Sequence, residues 1–301
     1  MSGTAKKGNV SMTLPIPVVV RSHNDKQLIE PTLQMLEKQT FACEIHVFDN
    51  DSTDGTLDIL PLYPVCVHRV PEGTYVPGSV LNEAMQSIQS SYPYVVFLNS
   101  DCTPVDAYWL ENLIAGFSDD SVAAVFSRQM PRPDCFPLFA KDTEDTFGDG
   151  SRQKYWKHCF SMASSAIRRE CWETMQFSID IQYSEDIDWT WRARQKGWTI
   201  AYAAESKVYH SHNYTFAQFK KRQKGEGKAD AQIFNWTRWE RSFLRYSLLP
   251  YLRQVKSDAS YVWKQKKAGL LPYSLALRFS QMVGRRQGFT EGLRKKDTSN
   301  G

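Results

Sequence analysis

A carboxylate at the end of a buried strand is the first group in this sequence placed where chemistry could occur. Residues 94–98 form an uninterrupted apolar run that stops at Asn99, Ser100 and Asp101. Such a run is typical of an inner strand of a parallel sheet, and ligands of such sheets bind at the carboxyl ends of the strands. One or two carboxylates there can hold a divalent cation that bridges two phosphates. An Asx turn or a helix N-cap is the alternative explanation for Asp101.

A second acidic group lies farther along the chain, where Glu185, Asp186 and Asp188 fall within four residues. Ser184 is placed to cap a helix that carries these acids in its first turn, and Gly197 is placed to end it. Capping and the helix dipole account for acids at this position. Three of them exceed what a cap requires, so we expect a chemical role for at least one.

The elements that position these groups alternate between strands and helices. Apolar runs predict strands at 15–20, 44–48, 65–70, 94–98, 122–126 and 199–203, and helical spacing predicts helices at 28–36, 57–60, 79–90, 107–117, 168–175 and 184–197. Residues 134–160 are less regular and are expected to form a loop or flap over a site. Residues 161–166 are read as strand or loop. This order predicts an α/β fold with a doubly wound, mainly parallel sheet.

Composition limits the class of protein. With 301 residues, 42% of them hydrophobic, the chain can bury a large core. None of the six cysteines forms a C-x-x-C pair, and residues 1–11 lack the apolar stretch of a signal peptide, which favours a reduced, cytoplasmic setting. No apolar run approaches the roughly 18 residues needed to span a bilayer.

The net charge of +4 conceals two unlike parts. Residues 1–212 hold 18 Lys and Arg against 27 Asp and Glu, whereas residues 213–301 hold 19 against 6. We expect a catalytic domain over 1–212 and a basic, aromatic-rich helical region over 213–301. Helices are predicted at 233–249, 261–267 and 274–283, with a frayed end at 295–301. The aromatic face of 233–249 is expected to pack on the first domain or to contact an anionic membrane.

Four segments, in this order, resemble family 2 glycosyltransferases of the GT-A fold: Val18-Val-Val-Arg-Ser-His-Asn24, Val47-Phe-Asp-Asn-Asp-Ser-Thr-Asp-Gly-Thr56, Phe97-Leu-Asn-Ser-Asp101 and Glu185-Asp-Ile-Asp188. The resemblance covers about residues 15–212. Further segments, Val125-Phe-Ser-Arg-Gln-Met-Pro131, Val208-Tyr-His-Ser-His212 and Arg278-Phe-Ser-Gln-Met-Val-Gly284, resemble bacterial rhamnosyltransferase-like members.

The resemblance implies a nucleotide-sugar donor and a glycan or lipid-linked acceptor. The donor would be held by Arg21, Asp49, Asn50, Asp51, Asn82, Ser100 and Asp101. Many members that use uridine-linked sugars have two adjacent acids where this chain has Asp49 followed by Asn50, which favours a thymidine-linked deoxysugar.

The resemblance also implies a divalent metal, Mg²⁺ or Mn²⁺, at Asp101. The family's preceding acid is replaced by Ser100, so an imidazole from His210 or His212 is expected to assist. Residues i and i+2 of a strand face opposite ways, and His210 is therefore predicted as the ligand.

Asp186 matches the family's general base, which implies an inverting single displacement, with Glu185 orienting the base or touching the acceptor. Arg128, Arg192 and His212 are candidates for phosphate or acceptor contact, although Arg192 could pair with nearby acids instead. Trp189 and Trp191 could stack on sugar rings, with core packing expected for at least one.

Three other interpretations remain open at this stage. The same fold could serve a nucleotidyltransferase, and the chain could be a non-catalytic module that binds a sugar or a partner. The basic aromatic region could bind RNA, but no RNP, KH or helix-turn-helix pattern is visible, so no nucleic acid is expected. A homo-oligomer is an open possibility, and the expected location is the cytoplasm, including the inner face of the cell membrane.

Overall fold

A computed structural model describes residues 14–71, 73–153, 156 and 158–299. Eight strands form one sheet: β1 Ile16–Ser22, β2 Cys43–Asp49, β3 Val65–Arg69, β4 Tyr94–Asn99, β5 Thr103–Pro104, β6 Val122–Met130, β7 Ser164–Arg168 and β8 Thr199–Tyr209. Their order across the sheet is β3-β2-β1-β4-β7-β6-β8-β5. The pairs β1–β2, β1–β4, β2–β3 and β6–β8 are parallel, whereas β7 is antiparallel to both neighbours and β5 to β8.

Helices cover both faces of this sheet. Those between the strands are α1 Lys26–Leu36, α2 Thr56–Ile59, α3 Pro77–Ser87, α4 Trp109–Ile114, α5 Pro137–Phe147, α6 Arg169–Thr174 and α7 Glu185–Gln195. Alternate residues of β1 supply the two cores: Val19 packs in a cluster with α3, α6 and α7, and Val18 and Val20 pack in another with α1 and α4. Burial on both faces explains why the strands read as continuous apolar runs, and the predicted doubly wound, mainly parallel α/β fold is confirmed.

Three long helices follow the last strand: α8 Phe216–Ile233, α9 Leu249–Lys264 and α10 Leu271–Ser299. Glycines let α8 and α10 approach closely, because a Cβ on Gly284, Gly288 or Gly292 would lie only 1.8–2.6 Å from the main-chain oxygens of Lys220, Lys224 and Lys228. These glycines and their partners recur every four residues, which is the spacing of one helix face. The two helices therefore pack backbone to backbone.

A buried ion-pair network joins these helices to α5. Arg278, 1% exposed, donates to both oxygens of Asp258 at 2.8 and 3.0 Å and to those of Asp142 at 2.7 and 2.8 Å. Lys141 adds a second cation 3.2 Å from Asp258. The segment that begins at Arg278, which resembled rhamnosyltransferase-like proteins in the sequence, therefore holds the helical region against the sheet region.

Several sequence-based expectations were wrong at the level of elements. Residues 134–160 contain α5 instead of forming only a loop. The helix expected at 233–249 does not form, because α8 ends at Ile233 and helical structure resumes only near Leu244, as a five-residue π-helix leading into α9. Of the helix expected at 261–267, residues 261–264 are the end of α9 and residues 265–267 lie beyond it, whereas the helix expected at 274–283 is part of the longer α10. The end expected to fray at 295–301 continues α10 to Ser299, and residues 300–301 lie outside the described chain.

Candidate active site

Asp101 lies two residues beyond the end of β4, next to two histidines from the end of β8. Its carboxylate oxygen Oδ2 is 3.5 Å from Nε2 of His210 and 3.8 Å from Nε2 of His212. The expectation that these histidines face opposite ways was wrong: both follow Tyr209, where β8 ends, and both imidazoles lie near the same carboxylate oxygen. Burial alone raises the pKa of Asp101, but His210, His212 and Arg132 outweigh it and hold the pKa well below its usual range.

Gln129, on β6, orients His210. The Gln129 amide donates from Nε2 to Oγ of Ser161 at 2.8 Å, so its Oε1 is left to accept the Nδ1–H of His210 at 2.7 Å. In the neutral form that a metal ligand requires, this arrangement places the His210 proton on Nδ1 and turns the lone pair of Nε2 toward Asp101. The lowering of the Asp101 pKa by His210 belongs to the protonated form of the imidazole. Nε2 is buried and has no hydrogen-bond partner within the described part of the chain.

These groups fit a divalent cation. Asp101 offers an ionised carboxylate and His210 an oriented imidazole lone pair, and their ligand atoms lie within 4.8 Å of one another and of the Cys102 thiol. Burial keeps the pKa of Cys102 far above its usual value, so its sulfur stays protonated and is a poor ligand for a hard cation. Two protein ligands leave most coordination positions for phosphate oxygens and water.

Arg132 is a site residue that the sequence analysis missed. Its guanidinium donates from Nη2 to the main-chain oxygen of Asp101 and from Nη1 to that of Ser211 at 2.6 Å, which ties the two loops of the site together. Arg128, the candidate predicted from the same stretch, instead acts through its charge on Asp149, Tyr202 and Glu205. Arg132 lies two residues beyond Met130, where β6 ends, so the strand pattern did not mark it.

Arg21, at the end of β1, links the sheet to the acids of α7. It donates from Nη2 to Oδ1 of Asn99 at 2.7 Å, and its Nη1 lies 3.5 Å from Oε1 of Glu185. Glu185 is 9% exposed. Burial and the charge of Asp186 raise its pKa, and Arg21 opposes that rise.

Asp186 is held at the amino end of α7 by two main-chain amides. Its Oδ2 accepts from Met162 N at 3.0 Å and its Oδ1 from Ile187 N at 2.8 Å. Burial raises its pKa against the lowering effect of these amides and Arg21. Met162 follows Ser161, the residue bonded to Gln129, so a continuous series of contacts runs from His210 to Asp186. A carboxylate of raised pKa binds a proton more readily than an ordinary one.

The remaining acids and tryptophans of α7 are structural. Asp188 pairs with Arg192 at 2.7 Å, which confirms the alternative interpretation of Arg192 as a partner of a nearby acid. Trp189 is wrong as a sugar-stacking residue, since it is fully buried and its indole donates to the main-chain oxygen of Met175. Trp191 contacts the rings of His158 and Phe234. Ser184 occupies the N-cap position but makes no side-chain capping bond.

The residues predicted to bind the donor differ in whether their polar groups are exposed or already bonded within the protein. Asp49 is 1% exposed, and both of its carboxylate oxygens accept hydrogen bonds from Ser52. Asn50 is partly exposed, and Asp51 is exposed in the left-handed region at φ 52°. Ser100 donates to Oδ2 of Asp25 at 2.5 Å, which adds a carboxylate that the sequence analysis did not consider.

Asn82 is a wrong assignment among these candidates. Its Nδ2 donates to the main-chain oxygen of Phe177, and its Oδ1 accepts from Phe177 N and from the indole of Trp172. An amide that is 8% exposed and bonded at both its nitrogen and its oxygen positions the 172–177 segment within the core instead of facing a donor.

The family model for glycosyl transferase family 2 matches residues 18–174, just over half of the chain. The chain belongs to glycosyl transferase family 2. Its curated relatives include the O-antigen chain rhamnosyltransferase WbaN of Salmonella anatum, 28% identical over 81% of this chain and 79% of the relative. Another is the O-antigen chain rhamnosyltransferase RfbN of Salmonella typhimurium, 24% identical over 91% of this chain and 90% of the relative.

Among solved structures, this family 2 glycosyltransferase is similar to the mannosyltransferase PcManGT of Pyrobaculum calidifontis in complex with GDP-Man and Mn²⁺. The TM-score is 0.64 at 16% identity, with 93% of this chain and 88% of that chain covered. The likeness shows the GT-A fold. The expected fold is thereby confirmed. The family match and the two O-antigen chain rhamnosyltransferases confirm the resemblance to rhamnosyltransferase-like members of the family. Within the described ranges, every helix is too short or too polar to cross a membrane.

Proposed function

We propose that this glycosyltransferase moves a deoxysugar, rhamnose being the leading candidate, from a nucleotide donor to a glycan or lipid-linked acceptor of a cell-surface polysaccharide. The rhamnosyltransferase relatives support the sugar class. The proposed place of action is the cytoplasmic face of the cell membrane, where a lipid-linked acceptor would be met.

The observation that carries the proposed mechanism is the series of contacts joining two unlike carboxylates. Asp101 lies beside an oriented imidazole, and Asp186 lies at the start of α7 with a raised pKa. The link between them runs through His210, Gln129 and the Ser161–Met162 backbone. The pair would serve the two sides of a displacement, one at the leaving diphosphate and one at the incoming hydroxyl.

On the leaving-group side, Asp101 and His210 would hold the divalent cation. The cation would neutralise charge on the departing nucleoside diphosphate. Arg132 keeps the loops of Asp101 and Ser211 together, which fixes the distance between the two ligands. On the acceptor side, Asp186 would take the proton of the attacking hydroxyl, and inversion at the anomeric carbon follows from a single displacement. Glu185 and Arg21 would set the pKa of this base and orient it.

A donor screen tests the proposal. The protein with Mn²⁺ or Mg²⁺ is incubated with nucleotide-linked rhamnose, mannose, glucose and N-acetylglucosamine and an oligosaccharide acceptor, and the products are analysed by NMR. We expect transfer from the deoxysugar donor, release of nucleoside diphosphate and an inverted anomeric configuration. A retained configuration would contradict the single displacement. Formation of nucleoside triphosphate and sugar 1-phosphate when inorganic diphosphate is added to the nucleotide sugar would indicate a nucleotidyltransferase.

A further inference from the structure

Residues 237–245 form an exposed segment that we name the arginine–aromatic loop. It lies between α8 and α9 and includes the first two residues of the five-residue π-helix. Trp239, Phe243 and Leu244 are 59%, 52% and 43% exposed. The same nine residues carry Arg238, Arg241 and Arg245 against one acid, Glu240, and all three arginines are exposed. Large apolar side chains and arginines therefore share one short stretch of surface.

Two aromatic residues hold the ends of this loop in the core of the helical region. Trp236 donates from its indole to the main-chain oxygen of Asp230 at 2.7 Å, and Tyr246 donates to Oδ2 of the same residue at 2.6 Å. Both rings pack on Phe289, Tyr246 in a stack with ring centroids 3.9 Å apart. The aromatic residues whose spacing predicted one helix face therefore have two different roles. Trp236 and Tyr246 are anchors in the core, whereas Trp239 and Phe243 are exposed.

The loop between the anchors is itself ordered by hydrogen bonds. Thr237 and Glu240 form reciprocal bonds, from Thr237 N to the Glu240 carboxylate at 2.9 Å and from Glu240 N to the Thr237 hydroxyl at 3.3 Å. Arg286 donates to the main-chain oxygen of Arg241 at 2.8 Å. Because these bonds fix the backbone, the loop needs little backbone ordering when its exposed rings meet a partner.

We propose that the arginine–aromatic loop docks the enzyme on an anionic lipid surface. Indole, phenyl and leucyl side chains enter the boundary between headgroups and acyl chains, and neighbouring arginines attract anionic headgroups. Residues 213–301 hold 19 Lys and Arg against 6 Asp and Glu, and this positive charge is opposite in sign to the charge of anionic headgroups. The inference rests on the proposed function in so far as a lipid-linked acceptor lies at such a surface.

A second copy of the chain fits this surface less well. A two-fold contact through the loop would bring its arginines against their own copies and repel them. Single-stranded nucleic acid would engage the arginines and rings, but it gives no reason for Leu244 to be exposed beside them. Both are outcomes that the test separates from lipid binding.

Co-sedimentation of the full chain with vesicles tests the proposal. The protein is mixed with vesicles of phosphatidylglycerol and phosphatidylcholine, and separately with phosphatidylcholine alone. We expect binding to the anionic vesicles, and the double variant Trp239→Ser/Phe243→Ser should lower the partition coefficient by at least about tenfold because two apolar side chains no longer insert. The variant Arg238→Gln/Arg245→Gln should weaken binding most at low salt.

Matched controls are Tyr108→Ser and Leu62→Ser, which remove side chains that are 58% and 74% exposed in the sheet region. Both should bind vesicles like the original protein, and all variants should keep its melting temperature. The proposal would be overturned if the original protein binds no anionic vesicle or if the Trp239/Phe243 variant binds equally well. It would also be overturned if the Trp239/Phe243 substitutions instead dissociate an oligomer or abolish binding to single-stranded RNA.

The transfer reaction provides a separate readout. Transfer to a water-soluble oligosaccharide without vesicles should be unchanged in the Trp239/Phe243 variant. Failure of the original protein to transfer any sugar would refute the proposed function, while the vesicle result would still decide the role of the loop.

Discussion

The amide oxygen of Gln129 lies 2.7 Å from Nδ1 of His210, and this contact decides which nitrogen of the imidazole faces Asp101. Because Gln129 is fixed in turn by Ser161, the lone pair of His210 Nε2 points into the candidate cation site without rearrangement. Orientation of a ligand by its other nitrogen commonly changes metal affinity by one to two orders of magnitude.

Gln129→Ala should therefore weaken Mn²⁺ binding in the presence of nucleoside diphosphate by roughly 10–100-fold. Isothermal titration calorimetry measures the dissociation constant directly. Gln153→Ala, at an exposed position, serves as the control and should leave it unchanged. An unaltered Mn²⁺ affinity in Gln129→Ala would mean that His210 is not a ligand.

The rate of transfer should depend on pH through Asp186. A general base must be ionised to act, and burial raises the pKa of Asp186, so kcat/KM should fall with decreasing pH at a midpoint above the ordinary value for an aspartate. Arg21 lowers the pKa of both Glu185 and Asp186. The variant Arg21→Gln should move that midpoint to higher pH. An unchanged midpoint would show that another group causes the fall of kcat/KM at low pH.

Stability should depend on pH through Glu185. Its pKa is higher in the folded protein than in the unfolded chain, so its contribution to folding is fully present at low pH and is lost as pH rises through the folded-state pKa. Glu185→Gln removes the charge that burial disfavours. Its melting temperature should exceed that of the original protein at pH 8, by on the order of 2 °C, and the difference should shrink toward pH 4. A difference that grows on acidification would contradict this account.

Close packing of α8 and α10 should make Gly288 intolerant of any side chain. A Cβ there would lie 1.8 Å from the main-chain oxygen of Lys224, so Gly288→Ala must separate the helices. We expect a loss of about 1–3 kcal/mol in the free energy of unfolding, measured in urea. Gly269→Ala is the matched control, because a Cβ at Gly269 meets nothing within 4 Å. Equal stability of the two variants would refute the tight helix contact.

The sheet and the elements that carry the candidate acids were predictable because local signals agreed with the global fold. The apolar run of 94–98 stands in the middle of the sheet, and Gly197 follows α7 with φ 86°, as its capping position required. Asp101 and Asp186 each end or begin an element whose type was evident. Position within an element indicated the carboxyl edge of the sheet for Asp101, whereas for Asp186 it indicated the first turn of a helix and the proposed role came from the family resemblance.

What could not be predicted depended on contacts distant in sequence. Gln129 is a strand residue whose partner, His210, lies 81 residues away, and nothing local marks it as a site residue. The helix α5 begins at Pro137, and Phe136 at its N-cap position makes no side-chain capping bond. In the segment 233–249, the Thr237–Glu240 bonds and the Asp230 contacts override the helical spacing. The boundary at residue 212 between catalytic domain and helical region stays a prediction.

The most direct test of the different roles of the two carboxylates compares Asp101→Asn with Asp186→Asn. Ligand binding and sugar transfer are measured in parallel on both variants, with Asp58→Asn on α2 as control. The account predicts that Asp186→Asn binds nucleoside diphosphate and Mn²⁺ as tightly as the original protein but transfers sugar about 10²–10⁴-fold more slowly, while Asp101→Asn loses Mn²⁺-dependent binding. Transfer by Asp186→Asn at the original rate, or undiminished Mn²⁺ binding by Asp101→Asn, would contradict it.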